Sequence, residues 1–181
     1  MLHFIYTQPL SRVIIIMAIA IAIWGYTRSK LYGKKWNIVN ALLACGMVVV
    51  ILSITIFGRT AGERILILKP FVSLAAARTQ SEAYRELLMN IFLFFPLGLT
   101  LSNALPQRWG RWRRIGLTVI AGLLLSAGIE YTQYRFALGV AEIDDVICNT
   151  LGTFIGSASL LVAHGIEKYK EKTTKHDSNK K

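Results

Sequence analysis

Five stretches of this 181-residue chain are each long and apolar enough to cross a bilayer, and nothing else in the sequence constrains the fold so strongly. Crossing the hydrocarbon takes about 20 mostly apolar residues in a helix. The stretches are residues 9–26, 37–58, 87–107, 115–134 and 145–166. The second and third carry no charge, and the fourth carries a single acid, Glu130. Lipid offers the backbone no hydrogen-bond partner, so each stretch must be helical. Composition agrees: 54% of residues are hydrophobic and 17% charged, where a soluble domain has about 45–50% and about 25%. The expected fold is all-α: a polytopic membrane bundle forming one domain over residues 1–166, multi-pass in the cell membrane.

The basic residues set its direction. The connection after the first span carries Arg28, Lys30, Lys34 and Lys35, and the one after the third carries Arg108, Arg111, Arg113 and Arg114. The tail, residues 167–181, holds six lysines and reads as disordered. All three lie on one side, which the positive-inside rule makes cytoplasmic. The N-terminus is then outside and the C-terminus inside. The net charge of +11 is explained by this asymmetry and by anionic membrane lipids, so nucleic acid is not an expected partner. Basic residues follow the first apolar core rather than precede it, which argues against a cleaved signal peptide. Cys45 and Cys148 fall in different spans at opposite leaflets, too far apart for a disulfide, which needs Cα atoms within about 7 Å.

The segment 59–86 is a structured loop on the outer surface. Pro70 interrupts any helix through it, and Thr79 with Glu82 has capping-box spacing for a helix leading into span three. Three spans bring polar groups to this same end. Glu130 and Gln133 share a helical face near the end of span four. Asp144, Asp145 and Asn149 open span five, and Asn90 lies at the start of span three. Asp145, Asn149, Gly152 and Gly156 form one helical stripe. Its glycines, with Gly98 on span three, allow close helix packing. Asp144 suits a helix N-terminus, and Asn90 suits interhelical bonding. Gln133 and Asn149 fit either a site or a structural role. Glu130, embedded in a helix, has no capping role and is the strongest functional candidate. Arg59, Lys69, Arg85 and Arg135 are the candidate cations for it.

"MNIFLFFPLGLTL" (89–101) followed by "GIEYTQYRFALGVAEIDDVICNTLGTFIG" (128–156) resembles the VanZ-like family. The likeness falls on Asn90, Phe94, Pro96, Gly98, Glu130, Gln133, Asp145, Asn149, Gly152 and Gly156, with "LKPF" (68–71) upstream, and covers about residues 60–165. The resemblance implies a small integral protein of a bacterial cell envelope, of the type that lowers susceptibility to teicoplanin-type glycopeptide antibiotics. An outward polar pocket would bind a glycopeptide, a cell-wall precursor, a lipid or a partner protein. The alternatives are a membrane-embedded enzyme using Glu130 and Asp145 on a lipid-linked substrate, or a small transporter component. No nucleophile motif, metal-ligand set or cofactor signature occurs, which favours a non-enzymatic role with no cofactor and no metal. Oligomeric state is left open.

Overall fold

The computed structural model describes residues 10–31, 33–57 and 59–178. It is a helical bundle in which five helical segments are long and apolar enough to cross a membrane. They comprise α1 (Leu10–Lys30), α2 (Lys34–Leu52), α4 (Ser81–Ala104), α5 (Arg111–Phe136) and the pair α6 (Ile143–Ser157) and α7 (Ser159–Ser178). A π-turn, Ser53–Phe57, prolongs α2, and a short helix, α3 (Val72–Ala76), precedes α4. Large apolar side chains face outward, Leu42 at 69% and Leu124 at 66% exposure, as expected where lipid replaces water.

The expected span limits move. The expected starts and ends at Pro9 and Gly58 lie outside the described residues. α4 begins at Ser81, well before the expected Leu87, and its N-cap is Gln80 without a side-chain bond. The Thr79 capping box is therefore not formed. The Thr79 hydroxyl instead donates to the Ala76 carbonyl, consumed by the turn that closes α3. The fifth span is interrupted at Ala158, between α6 and α7, where Ser157 donates to the Phe154 carbonyl at 2.6 Å. Beyond it α7 continues as helix to Ser178, through residues whose composition reads as disordered. Glu167 with Lys170 has the spacing of a supporting helical pair.

The packing centre is the contact of α4 with α6. A Cβ on Gly98 would collide with the Thr153 carbonyl, one on Gly152 with the Ile91 carbonyl, and one on Gly156 with the Phe95 carbonyl. Backbone thus lies against backbone, where small residues are required. Phe94, Leu97, Ile129 and Ile51 fill the core between α2, α4 and α5. At the end carrying the basic connections, Arg28 donates to Asn103 at 3.3 Å, Asn103 to Ser159 at 3.0 Å, and Arg114 to the Ser102 carbonyl at 2.5 Å. Arg114, read from sequence as a topology signal alone, is only 3% exposed.

The opposite, polar end holds an element with no sequence counterpart. Strand β1 (Arg64–Ile67) pairs in parallel with β2 (Gly139–Glu142), with Arg64 opposite Gly139 and Ile67 opposite Glu142. Residues 135–144, left between the fourth and fifth expected spans, therefore carry half of a sheet. Helix α5 ends with Ala137 in the left-handed region, and the Leu138 N–H returns to the Gln133 carbonyl at 2.8 Å, a Schellman closure. Gly139, at φ 131°, lies against the Arg59 guanidinium, where a Cβ would collide.

Asp144 holds the loop from below. Its carboxylate accepts the Phe71 N–H at 2.6 Å and the Ser73 N–H at 2.8 Å. Phe71 is left-handed at φ 65° and is the N-cap residue of α3. Asp144 is a cap, but of α3 rather than of its own helix, whose N-cap is Glu142. Thermal unfolding in detergent will show Gly152→Ala losing stability, by about 1–3 kcal/mol for overpacking. Asp144→Ala leaves two backbone donors without their carboxylate, at about 1–3 kcal/mol. Its signature will be faster limited proteolysis within residues 59–80 at unchanged helix content by circular dichroism.

Candidate functional site

The loop 59–80, the π-turn, the start of α4 and β2 enclose a polar cavity of about 370 Å³. Its polar wall is Thr55, Arg59, Ser73, Glu86, Asn90, Glu142 and Asp145, and its apolar wall includes Ile54, Leu87 and Leu93. Asn90 donates to Asp145 at 2.6 Å, a bond made possible by the glycine contacts two turns further along α6. Ser73 donates to the Glu142 carboxylate at 2.5 Å. Three carboxylates and one guanidinium therefore share one hollow. Polar groups converging on a mostly preformed concavity are the usual form of a small-ligand site.

Glu130 is elsewhere. It lies in a second hollow, a crevice of about 240 Å³ lined by Leu66, Leu68, Ala127, Tyr131, Tyr134, Ala141, Ile143 and Val146. One of its oxygens accepts the Glu142 N–H at 2.9 Å. Strand β2 is the partition. Val140 lines the polar cavity, its neighbour Ala141 lines the crevice, and Glu142 borders both. Alternate strand residues point to opposite faces, so a single strand separates the two surroundings.

The remaining candidates serve helix contacts. Gln133 is 2% exposed and donates to the Thr55 carbonyl at 3.0 Å. That carbonyl lies in the last turn of its helical segment, where acceptors lack partners along the chain. Asn149 is 3% exposed and donates to Ser126 at 2.8 Å, tying α6 to α5. The amide oxygens of Gln133 and Asn149 are buried without a partner among the described residues. Of the six polar candidates, only Asn90 and Asp145 meet in the polar cavity. Of the four cations proposed for Glu130, only Arg59 lines that cavity, and it donates to the Leu138 carbonyl at 3.3 Å.

Ser73, Glu86 and Glu142 were not singled out by the sequence. Glu142 carried a usable signal, because it stands in the same acid-rich stretch as Asp144 and Asp145. Ser73 and Glu86 carried none, since their role depends on a loop folding back over α6. Cys45 and Cys148 are both free thiols. Among the described residues, no three His, Cys, Asp or Glu side chains are grouped to hold a metal ion.

Comparison with known proteins places this architecture. Protein VanZ of Enterococcus faecium is 34% identical over 96 residues, which is 52% of this chain and 51% of that protein. The chain thus spans about half the length of the curated relative it matches. No solved structure matches. The family model described as VanZ/LLP1 matches residues 38–164, a range that contains most of α2, both strands and every residue lining the two hollows. The chain is a membrane protein of VanZ type and belongs to the VanZ/LLP1 family.

Proposed function

We propose that this chain is a multi-pass protein of a bacterial cell membrane that lowers susceptibility to teicoplanin-type glycopeptide antibiotics by holding a ligand or partner in its polar cavity, without catalysing a reaction. With the basic connections cytoplasmic, the N-terminus and the cavity face outward, the side on which such antibiotics act. The supporting observation is the cavity itself, where Arg59, Glu86, Glu142 and Asp145 converge around open space rather than on one another. The family name supports the resistance reading, and the cavity supports binding. A carboxylate pair acting on a lipid-linked substrate is disfavoured, because Glu130 and Asp145 line different hollows.

The test is expression in a susceptible Gram-positive host, with membrane levels matched by immunoblot. The chain will raise the minimum inhibitory concentration of teicoplanin several-fold. Asp145→Asn and Asn90→Ala will lose most of that rise, while Lys172→Gln in the tail will keep it. Unchanged susceptibility on expression of the wild-type chain contradicts the proposal.

A further inference from the structure

The lipid-facing surface of the bundle does not stop at its helices. On α5 the exposed residues Leu117, Ile120, Leu124, Ala127, Tyr131 and Tyr134 follow helical spacing and form one stripe. Leu124 is 66% and Tyr131 69% exposed, so the stripe stays uncovered almost to the end of the helix at Phe136. Its two tyrosines suit the boundary between hydrocarbon and headgroups. Leu66 in β1 and Leu68 just beyond it stand beside these tyrosines, lining the same crevice, and are 46% and 66% exposed. Farther along the loop Phe71 is 59% and Leu74 52% exposed, while Ser73 between them lines the polar cavity. The loop thus turns its serine inward and large apolar side chains outward, next to a surface already given to lipid.

Charge and backbone pairing fit the same surroundings. Residues 64–81 contain no acid and three basic residues, Arg64, Lys69 and Arg78, all of them exposed. The carboxylates nearby are gathered in the cavity instead, on Glu86, Glu142 and Asp145. Lysine and arginine set among leucine and phenylalanine mark a segment that lies in the plane of the interface. Such a segment must satisfy its backbone from within the protein. Strand β1 is paired with β2, and the Phe71 and Ser73 N–H groups are taken by Asp144. The outer edge of β1 is open, because the sheet has only two strands. An open edge has no place in hydrocarbon, so the strand itself stays at headgroup level and only side chains go deeper.

We propose that the loop is an interfacial anchor, whose Leu68 and Phe71 insert into the bilayer leaflet at the polar end of the bundle, with Leu66 and Leu74 beside them. Lys69, between the two inserted side chains, meets the lipid phosphates. The partner of this face is the lipid surface, not a second copy of the chain, because it continues the lipid-facing stripe of α5. The anchor holds the outer wall of the polar cavity at the membrane, yet its existence does not depend on what that cavity binds.

Depth-dependent quenching in the full chain tests it. Leu68→Cys and Phe71→Cys are introduced singly into a chain with Cys45→Ser and Cys148→Ser, labelled with a nitrobenzoxadiazole fluorophore and reconstituted in phosphatidylcholine vesicles. Leu124→Cys serves as the lipid-facing reference, and Glu82→Cys, at the exposed start of α4, as the aqueous one. Circular dichroism confirms that each labelled protein keeps its helix content. Both loop labels will emit at shorter wavelength than the Glu82→Cys label and will be quenched several-fold less by aqueous iodide. A doxyl group near the headgroup end of the acyl chain will quench them more than one near the chain terminus, the reverse of its order at Leu124→Cys. Iodide quenching at either loop position equal to that at Glu82→Cys overturns the proposal. Protection from iodide without quenching by either doxyl lipid also overturns it, because protein rather than lipid then covers the face. The assay contains no antibiotic, so a negative teicoplanin result leaves it unaffected.

Discussion

The contact between the α4 and α6 backbones is the constraint on which the polar end depends. Gly152 against the Ile91 carbonyl, Gly156 against Phe95 and Gly98 against Thr153 bring the helices as close as main chain permits. In lipid the apolar side chains gain little by leaving their surroundings, so association rests on such close packing and on interhelical hydrogen bonds. Asn90 precedes Ile91 by one residue, and Asp145 precedes Gly152 by two turns. Their 2.6 Å bond is thus set by the same alignment. Asp144, next to Asp145, then reaches up to the backbone of Phe71 and Ser73. One helix contact in this way positions both the cavity floor and the loop that covers it.

Strand β2 divides what that alignment assembles. It is only four residues long, and a two-stranded sheet is marginal by itself. Here it is held along several edges: by pairing with β1, by the Glu130 carboxylate at the Glu142 N–H, and by Arg59 at the Leu138 carbonyl. The Glu130 carboxylate is therefore a support for the partition. Arg59, Glu86, Glu142 and Asp145 remain on the other side, where charge can be hydrated. This separation gives two chemically different surfaces within the reach of a single loop.

Most of the bundle was legible in the sequence because lipid simplifies the rule. An uncharged run such as residues 37–58 has no stable state in a membrane other than helix. The acid-rich turn likewise stood out, since Glu130 is the single charge in its run. What could not be read was how that turn folds. Strands β1 and β2 begin 75 positions apart, at Arg64 and Gly139, and four-residue strands leave no usable periodicity. Asp144 was recognisable as a cap, yet its helix lies more than 70 positions upstream. The Gln133 bond to Thr55 depends on the π-turn, for which residues 53–57 give no distinct pattern. A shared leaflet was therefore inferable for Glu130 and Asp145, whereas a shared pocket was not.

The separation of those two carboxylates is the central claim, and cysteine accessibility measures it directly. Glu130→Cys and Asp145→Cys are introduced singly into a chain with Cys45→Ser and Cys148→Ser, then reconstituted in lipid bilayers. A charged, membrane-impermeant thiol reagent will label the Asp145→Cys protein and spare the Glu130→Cys protein, which a lipid-soluble maleimide will label instead. Equal labelling of both proteins by the charged reagent would contradict the account, because it would place both side chains in one aqueous cavity.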